Sequence, residues 1–269
     1  MSRMLDETKE KRIIERRRKN RISKISSVAM PILGIVMLFL IWELWVILGD
    51  FPTWQISRPS LIIRSMLEDF ELYWPNIVRT FTSILTGWVA ACLIGVVMGA
   101  LMANYALLGT TLTPYINLLC TLPVITLVPM MYVFMGIGRD VIIIAIILQS
   151  FAIVTMNSST GFMNVPVMRI ELMTSLRATK RQTFFQCMFP SAINNVFTDM
   201  KLSAIFATTT CVAAEVNGST VGLGALVIEA KTYVRTDQMF GSILFIAIIG
   251  VFFYMLSDAL EAVLVKWKE

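Results

Sequence analysis

The feature that most constrains this chain is a long stretch that carries no charge. No Asp, Glu, Lys or Arg occurs between Thr80 and Gly138. Because about 20 consecutive apolar residues suffice for a helix to cross a bilayer, this stretch has room for two crossings. Hydrophobic residues make up 57% of the chain and charged residues 15%, which is too little charge to cover a soluble domain. The sequence therefore predicts an all-α integral membrane protein.

Apolar runs recur along most of the chain and predict six membrane-spanning helices. A basic tail at residues 1–28 comes first, and the membrane domain occupies residues 29–269. Gly95 and Gly99 form a small-xxx-small pair, which favours close packing of the second span against another helix. The predicted spans cover residues 31–49, 78–102, 111–134, 141–156, 195–214 and 239–257.

The distribution of Lys and Arg predicts the orientation of these spans. The tail carries ten basic residues against four acidic ones. The segment Val165–Pro190, which we call the basic segment, is also rich in Lys and Arg. Cytoplasmic loops carry an excess of these residues, so we expect the basic segment and both termini in the cytoplasm. A tail that binds nucleic acid is the alternative, but a basic tail directly before a span more often anchors topology, so we expect no nucleic-acid partner.

Missing residue types exclude several kinds of chemistry. The chain contains no His, which removes the commonest metal ligand and the commonest general base. Its four Cys are widely spaced, with no Cys-x-x-Cys pair. It has no Gly-x-x-x-x-Gly-Lys-Ser/Thr loop to hold phosphates, so ATP hydrolysis is not expected of it. We therefore expect that the chain is not an enzyme and that it has no catalytic residue, no metal and no cofactor.

The basic segment has the pattern of two short helices joined by a corner. Pro166 suits the first turn of a helix, and apolar residues then recur at helical spacing. Thr179 with Gln182 three residues later has the form of a capping box, which predicts a second helix. Arg177 and Ala178 form the corner. Such a helix pair suits a groove on another protein, although a loop that only sets topology would also be basic.

Two further features are candidates for the lining of a transport pathway. Pro123 and Pro129 interrupt the third span, and such breaks free backbone carbonyls that neighbouring groups or a water-lined cavity must satisfy. Glu215 is an ionisable residue at the end of the fifth span. We expect both features to lie near a pathway, with packing alone as the alternative explanation.

The basic segment resembles the permease signature of ATP-binding-cassette (ABC) importers, which begins Glu-Ala-Ala, has Gly six residues after the Glu, and ends in a hydrophobic residue and Pro. The residues that carry the resemblance are Glu171, Leu176, Ala178, Thr179, Phe184 and Pro190. The sequence departs from the signature because Leu172 and Met173 replace the two Ala, Arg177 replaces the Gly, and Cys187 replaces a branched aliphatic residue. A non-Gly residue in a left-handed corner costs about 1 kcal/mol or more, so we expect either strain or a reshaped corner at Arg177.

The resemblance covers about Trp42–Trp267 and is to the importer permeases of the nitrate, sulfonate and taurine group. It implies six transmembrane helices of the type I ABC importer permease kind, with the basic segment as a cytoplasmic coupling helix. The implied role is the membrane-spanning permease subunit of an ATP-driven importer in the plasma (inner) membrane. Its solute would be a small anion or organic solute such as nitrate, sulfonate or taurine.

The same resemblance implies partners and interface residues. The partners are ABC ATPase subunits, a second permease subunit in a homodimer, and an extracytoplasmic substrate-binding protein. The residues placed at the ATPase interface are Glu171, Leu176, Arg177, Ala178, Thr179, Phe184 and Pro190.

From the residues alone, other classes of membrane protein stay open. A secondary transporter or channel subunit would not depend on ATP. Ion coupling needs carboxylates deep in the spans, however, and Glu43 and Glu215 both lie near span ends. A membrane-embedded enzyme would need paired titratable groups in one cavity, and the sequence shows no such pair. A structural membrane protein would have no transport phenotype.

Overall fold

A computed structural model of the chain describes residue 30 and residues 33–265. The predicted basic tail at residues 1–28 lies outside these residues. All regular elements in the described ranges are helical, which confirms the all-α prediction. They are α1 (Leu33–Leu48), α2 (Pro59–Glu68), α3 (Phe70–Asn104), α4 (Ala106–Thr121), α5 (Val124–Met135), α6 (Arg139–Met163), α7 (Val167–Ser175), α8 (Lys180–Thr183), a π-helix (Phe184–Met188), α9 (Phe189–Val216), α10 (Leu223–Thr232) and α11 (Thr236–Leu264). The chain divides into two compact units between Arg64 and Ser65.

In the first unit, Glu43 of α1 caps the start of α2. Its carboxylate accepts hydrogen bonds from the Ser60 backbone N–H at 3.0 Å and from the Ser60 hydroxyl at 2.7 Å. The first turn of a helix leaves N–H groups without intrahelical partners, and a carboxylate there satisfies one of them and complements the helix dipole. Glu43 therefore fixes the start of α2 beside α1.

In the second unit, α3 and α6 pack closely through small residues of α3. A Cβ atom at Gly95 would lie 2.9 Å from Val154 Cβ, and one at Gly99 would lie 2.9 Å from Ser158 Cβ. No larger residue fits at these distances unless α6 moves. Because apolar surface gives no driving force between helices in lipid, such close packing is a main source of helix association. The predicted small-xxx-small pair is confirmed as a helix contact.

The third predicted span, residues 111–134, is two helices. The axes of α4 and α5 meet at a bend of 90°. Leu122 and Pro123 at the bend have extended backbone. The residue before a proline avoids the helical region, so Pro123 ends α4 at Leu122. Pro129 lies inside α5 without breaking it.

Several helices are suited to a membrane. Within the described residues, α3, α6 and α11 are each long and apolar enough to cross it, and α4 with α5 meets the same criterion as a bent pair. α9 has 28 residues but carries Asp199 and Lys201. Lys201 forms ion pairs with Asp258 and Glu261 of α11, so its charge is neutralised between two helices. The chain thus has several membrane-suited helices, and the number six stays a prediction.

The helix order puts the candidate residues at two opposite ends of the second unit. α6 ends and α9 begins at the basic segment, whereas α5 ends, α6 begins and α9 ends at the other end, which we call the distal end. Between these ends, Trp88 of α3 donates from Nε1 to Ser203 Oγ of α9 at 3.0 Å. Its ring packs edge-on against Phe253 of α11, with centroids 5.8 Å apart. Trp88 therefore joins α3, α9 and α11 between the basic segment and Glu215.

Candidate functional site

α7 ends in a tight, hydrogen-bonded corner. Arg177 has a φ of 56°, in the left-handed region. Its N–H donates to the Thr174 carbonyl at 2.9 Å, and the Ala178 N–H donates to the Met173 carbonyl at 2.9 Å. These two bonds are those of a Schellman C-cap, with Arg177 in the position that Gly most often occupies. The corner is therefore left-handed, and Arg177 carries a strain of about 1 kcal/mol or more.

The second half of the basic segment starts at the predicted capping box. The Thr179 hydroxyl accepts from the Gln182 N–H at 3.3 Å, and the Gln182 side chain accepts from the Thr179 N–H at 2.8 Å, which confirms the capping box. The helix does not stop after α8 but continues through the π-helix into α9. Pro190 has no N–H to donate, and the wide π-turn directly before it accommodates the proline without a break. Thr179 therefore begins a helix that runs to Val216.

Phe184 joins this helix to α6. Its ring centroid lies 5.5 Å from that of Phe162 and 6.2 Å from that of Phe189. Phe162 is fully buried, and Phe184 is half-buried against it. Aromatic pairs of this kind contribute about 0.5–1.5 kcal/mol beyond the burial of their area. Phe184 therefore packs the basic segment against α6, and its place at an ATPase interface stays a prediction.

Exposed apolar side chains of the basic segment lie on α7 and also include Phe185, which is 58% exposed. Met168, Leu172 and Leu176 are 81%, 60% and 68% exposed, and we call them the α7 row. Their spacing of four residues puts them on one side of the helix, and Glu171 is exposed beside them. Contiguous exposed apolar residues mark contact surfaces more often than scattered ones do. Of the α7 row, only Leu176 was predicted to lie at an ATPase interface, although the spacing of Met168 and Leu172 puts them on the same face.

At the distal end, Glu215 is buried among hydrogen-bond donors. The residue is 1% exposed. Thr80 Oγ1 donates to one carboxylate oxygen at 2.8 Å, and the Gly224 N–H donates to the other at 2.9 Å. Because Gly224 lies in the first turn of α10, the carboxylate also complements the positive end of that helix. The Leu223 N–H in turn donates to Thr80 Oγ1 at 2.9 Å.

Two glycines allow α10 to approach Glu215 this closely. A Cβ atom at Gly222 would lie 2.4 Å from the Glu215 carboxyl carbon, and one at Gly224 would lie 2.8 Å from Glu215 Cβ. Gly222 also has a φ of 137°, which L side chains rarely adopt. Its N–H donates to Asn76 Oδ1 at 2.7 Å. Asn76, Thr80, Glu215, Gly222 and Gly224, which we call the Glu215 cluster, tie α10 to α3 and α9.

Pro123 and Pro129 of the third predicted span are linked to the region of this cluster through Tyr132 of α5. Tyr132 of α5 donates from its hydroxyl to the Ala214 carbonyl at 3.0 Å, directly beside Glu215. Pro129 lies one turn before Tyr132 and is exposed, as is Pro123 at the bend. Glu215 itself is enclosed by its hydrogen-bond partners. The structure thus brings Glu215 next to α5, and a place on a pathway stays a prediction for all three residues.

Sequence reasoning missed the polar residues that surround Glu215. Asn76, Thr80 and Tyr132 are single uncharged polar residues in largely apolar helices, and no local spacing singles them out. Their role depends on helices that are far apart in the sequence.

Comparisons with known proteins agree with this architecture. Residues 91–269 match the sequence profile of the family described as "Binding-protein-dependent transport system inner membrane component". The taurine transport system permease protein TauC of Escherichia coli (strain K12) is 30% identical over 194 residues, which cover 72% of this chain and 70% of TauC. The nitrate import permease protein NrtB of Synechocystis sp. is 22% identical over 274 residues, which cover 94% of this chain and 96% of NrtB.

A solved structure shares the fold. A chain of the inward-facing MetNI methionine ABC transporter aligns with a TM-score of 0.58 and 20% identity, over 70% of this chain and 92% of that chain. The chain belongs to the binding-protein-dependent transport system inner membrane components, the permease subunits of ABC importers.

Proposed function

We propose that this chain works as half of the translocation pathway of an ATP-driven importer and that its basic segment couples the spans to a separate ATPase subunit. Two copies of the chain form the pathway, two ATPase subunits bind on the cytoplasmic side, and an extracytoplasmic binding protein delivers the solute. The basic segment and both termini lie in the cytoplasm, in keeping with their Lys and Arg content.

The observation that carries this proposal is the α7 row. Three large apolar side chains project from α7 and its C-cap residue Leu176, and no residue of α7 is buried. A groove on the ATPase that covers them would remove them from water, and full burial of such a side chain is worth about 1.5–3 kcal/mol. Glu171 beside the row offers a charge to the rim of the same groove. The row therefore supplies both the anchor and the orientation that docking needs.

The rest of the basic segment is built to transmit movement. The C-cap at Arg177 and the capping box at Thr179 fix the angle between α7 and the following helix. That helix continues without a break to Glu215 and Val216 at the distal end. Phe184 braces its start against α6. A displacement of α7 by the ATPase is thus passed to α9 rather than absorbed in a loop.

The distal end is where this movement would open or close the pathway. The Glu215 cluster holds α10 on α3 and α9, and Tyr132 holds the end of α5 beside it. Pro123 and Pro129 lie on the bent α4–α5 pair, which we assign to the pathway lining. ATP and solute can drive such a cycle only if each binds the inward-open and outward-open states with different affinity.

For the solute, we propose a small anion or organic solute such as nitrate, a sulfonate or taurine. Support comes from the taurine and nitrate permeases to which the chain is similar. The binding protein would supply much of the selectivity.

Reconstituted uptake tests the proposal. The chain is placed in proteoliposomes with the ATPase subunit that copurifies with it and the binding protein, and uptake of labelled taurine, nitrate and a sulfonate is measured. We expect uptake that requires ATP on the cytoplasmic side and stops when the ATPase is inactivated. Uptake by the chain alone under an ion gradient would contradict the proposal and indicate a secondary transporter or channel subunit.

A further inference from the structure

A cavity of about 550 Å³ lies between the end of α3 and the basic segment. One wall is apolar and comes from the last turns of α3, with Val97 and Leu101. The other wall is aromatic and comes from Phe184 and Phe185. Its volume falls within the range of cavities that hold small-molecule ligands, about 300–1,000 Å³. The cavity lies within the second unit and at the opposite end from the Glu215 cluster.

Two cations stand at the edge of this cavity. Lys180 and Arg181 both line it, and neither forms an ion pair within the described part of the chain. The Arg181 guanidinium lies 5.9 Å from the centroid of the Phe185 ring, so a cation–π contact holds its charge at the cavity. Asn104 and Tyr105 add polar groups at the same level. The cavity is thus apolar along α3 and positively charged at one rim.

The position of the cavity relative to the membrane decides what can fill it. α3 is apolar and long enough to cross a membrane, and Val97 is 61% exposed on it. Tyr105 directly follows α3, and Tyr is enriched where helices leave the hydrocarbon for the headgroup region. In a membrane crossed by α3 with Tyr105 in the headgroup region, the apolar wall would lie at the depth of acyl chains and Lys180 and Arg181 near the headgroups. Basic pockets at such a level favour anionic lipids.

We propose that this cavity binds an anionic phospholipid, with its phosphodiester on Lys180 and Arg181 and an acyl chain along Val97 and Leu101. The excess of positive charge that sets topology accounts for the two cations but not for an apolar cavity beside them. A soluble anion would use the cations and leave the α3 wall exposed. A phospholipid uses both halves of the site.

Native mass spectrometry of the purified full chain, released from nanodiscs of mixed phosphatidylglycerol and phosphatidylcholine, tests the site. We expect retained phosphatidylglycerol on the wild type and a loss of about 30-fold in its retention for Lys180→Gln/Arg181→Gln, since each Lys or Arg near a membrane surface contributes about a factor of five. The matched control, Arg169→Gln/Lys231→Gln, removes two exposed charges outside the cavity and should retain the lipid. Equal retention by both double variants, or equal retention of phosphatidylcholine and phosphatidylglycerol by the wild type, would overturn the proposal.

A second variant tests the apolar half of the site without changing charge. Leu101→Trp fills the cavity and should also release phosphatidylglycerol. Wild-type retention by Leu101→Trp would contradict an acyl chain on α3. Glycerol 3-phosphate, which has the headgroup chemistry but no acyl chain, should not displace the lipid. Full displacement by this soluble anion would show an anion site instead of a lipid site.

Discussion

Gly222→Ala is expected to be one of the most damaging small substitutions in this chain, because it acts on the buried carboxyl group of Glu215 and on the backbone together. The added Cβ would lie 2.4 Å from the Glu215 carboxyl carbon, so the carboxylate or α10 must move. A side chain at a φ of 137° costs about 1–3 kcal/mol. Loss of a hydrogen bond to the buried Glu215 carboxylate costs about a further 1–3 kcal/mol. We therefore expect the free energy of unfolding to fall by about 2–6 kcal/mol.

Thermal unfolding monitored with a thiol-reactive fluorophore measures this loss, because Cys92, Cys187 and Cys211 are buried in the folded chain. A destabilisation of this size should lower the Tm by about 10 °C. Gly138→Ala is the matched control, since nothing lies within 4 Å of its added Cβ and its backbone is extended. If Gly222→Ala had the same Tm as Gly138→Ala, the Glu215 cluster would not hold α10 in place.

Three further predictions concern the packing, the corner and the topology. Gly99→Leu should prevent the approach of α3 to α6 and greatly reduce the yield of monodisperse protein in gel filtration. Gly34→Leu, with no atom within 4 Å of its Cβ, should not reduce this yield, and equal yields of the two variants would refute the packing. Arg177→Gly should relieve the left-handed strain and slow amide hydrogen exchange at the end of α7 by up to about fivefold, which corresponds to about 1 kcal/mol. Faster exchange there would show that the Arg side chain stabilises the corner. Arg177→Cys should react with an impermeant thiol reagent only after the cells are opened, and labelling of intact cells would place the basic segment outside.

The parts of this structure that could be predicted from the sequence are those set by neighbouring residues. The capping box at Thr179 depends on a residue three positions away, and the Gly95 and Gly99 pair depends on one helix face. Pro123 and Pro129 of the third span indicated a break but not its angle of 90°. Glu215 was visible as an ionisable residue at the end of a span, yet its partner Thr80 lies 135 residues earlier, and no local pattern joins them.

The contact of Phe184 with Phe162 also could not be predicted from neighbouring residues. The sequence showed that the second half of the basic segment has an apolar side, which was predicted to pack in a groove on a partner protein. Phe184 packs against Phe162 of α6 in a way that depends on how α6 and α9 pack, and its place at an ATPase interface stays a prediction. Exposed apolar side chains of the basic segment are found at Phe185 and on α7, where no neighbouring helix covers Met168 or Leu172.

The most direct test of the coupling proposal is the affinity of the ATPase subunit for Leu172→Glu, measured by pull-down over a range of ATPase concentrations with the chain in nanodiscs. Loss of a buried apolar anchor costs about 2 kcal/mol or more, so this variant should bind about 30-fold more weakly and lose ATP-dependent uptake. Thr174→Glu places the same charge on the same helix outside the α7 row and should bind like the wild type. Wild-type ATPase binding and uptake by Leu172→Glu would contradict docking through α7 and leave the basic segment as a topology signal alone.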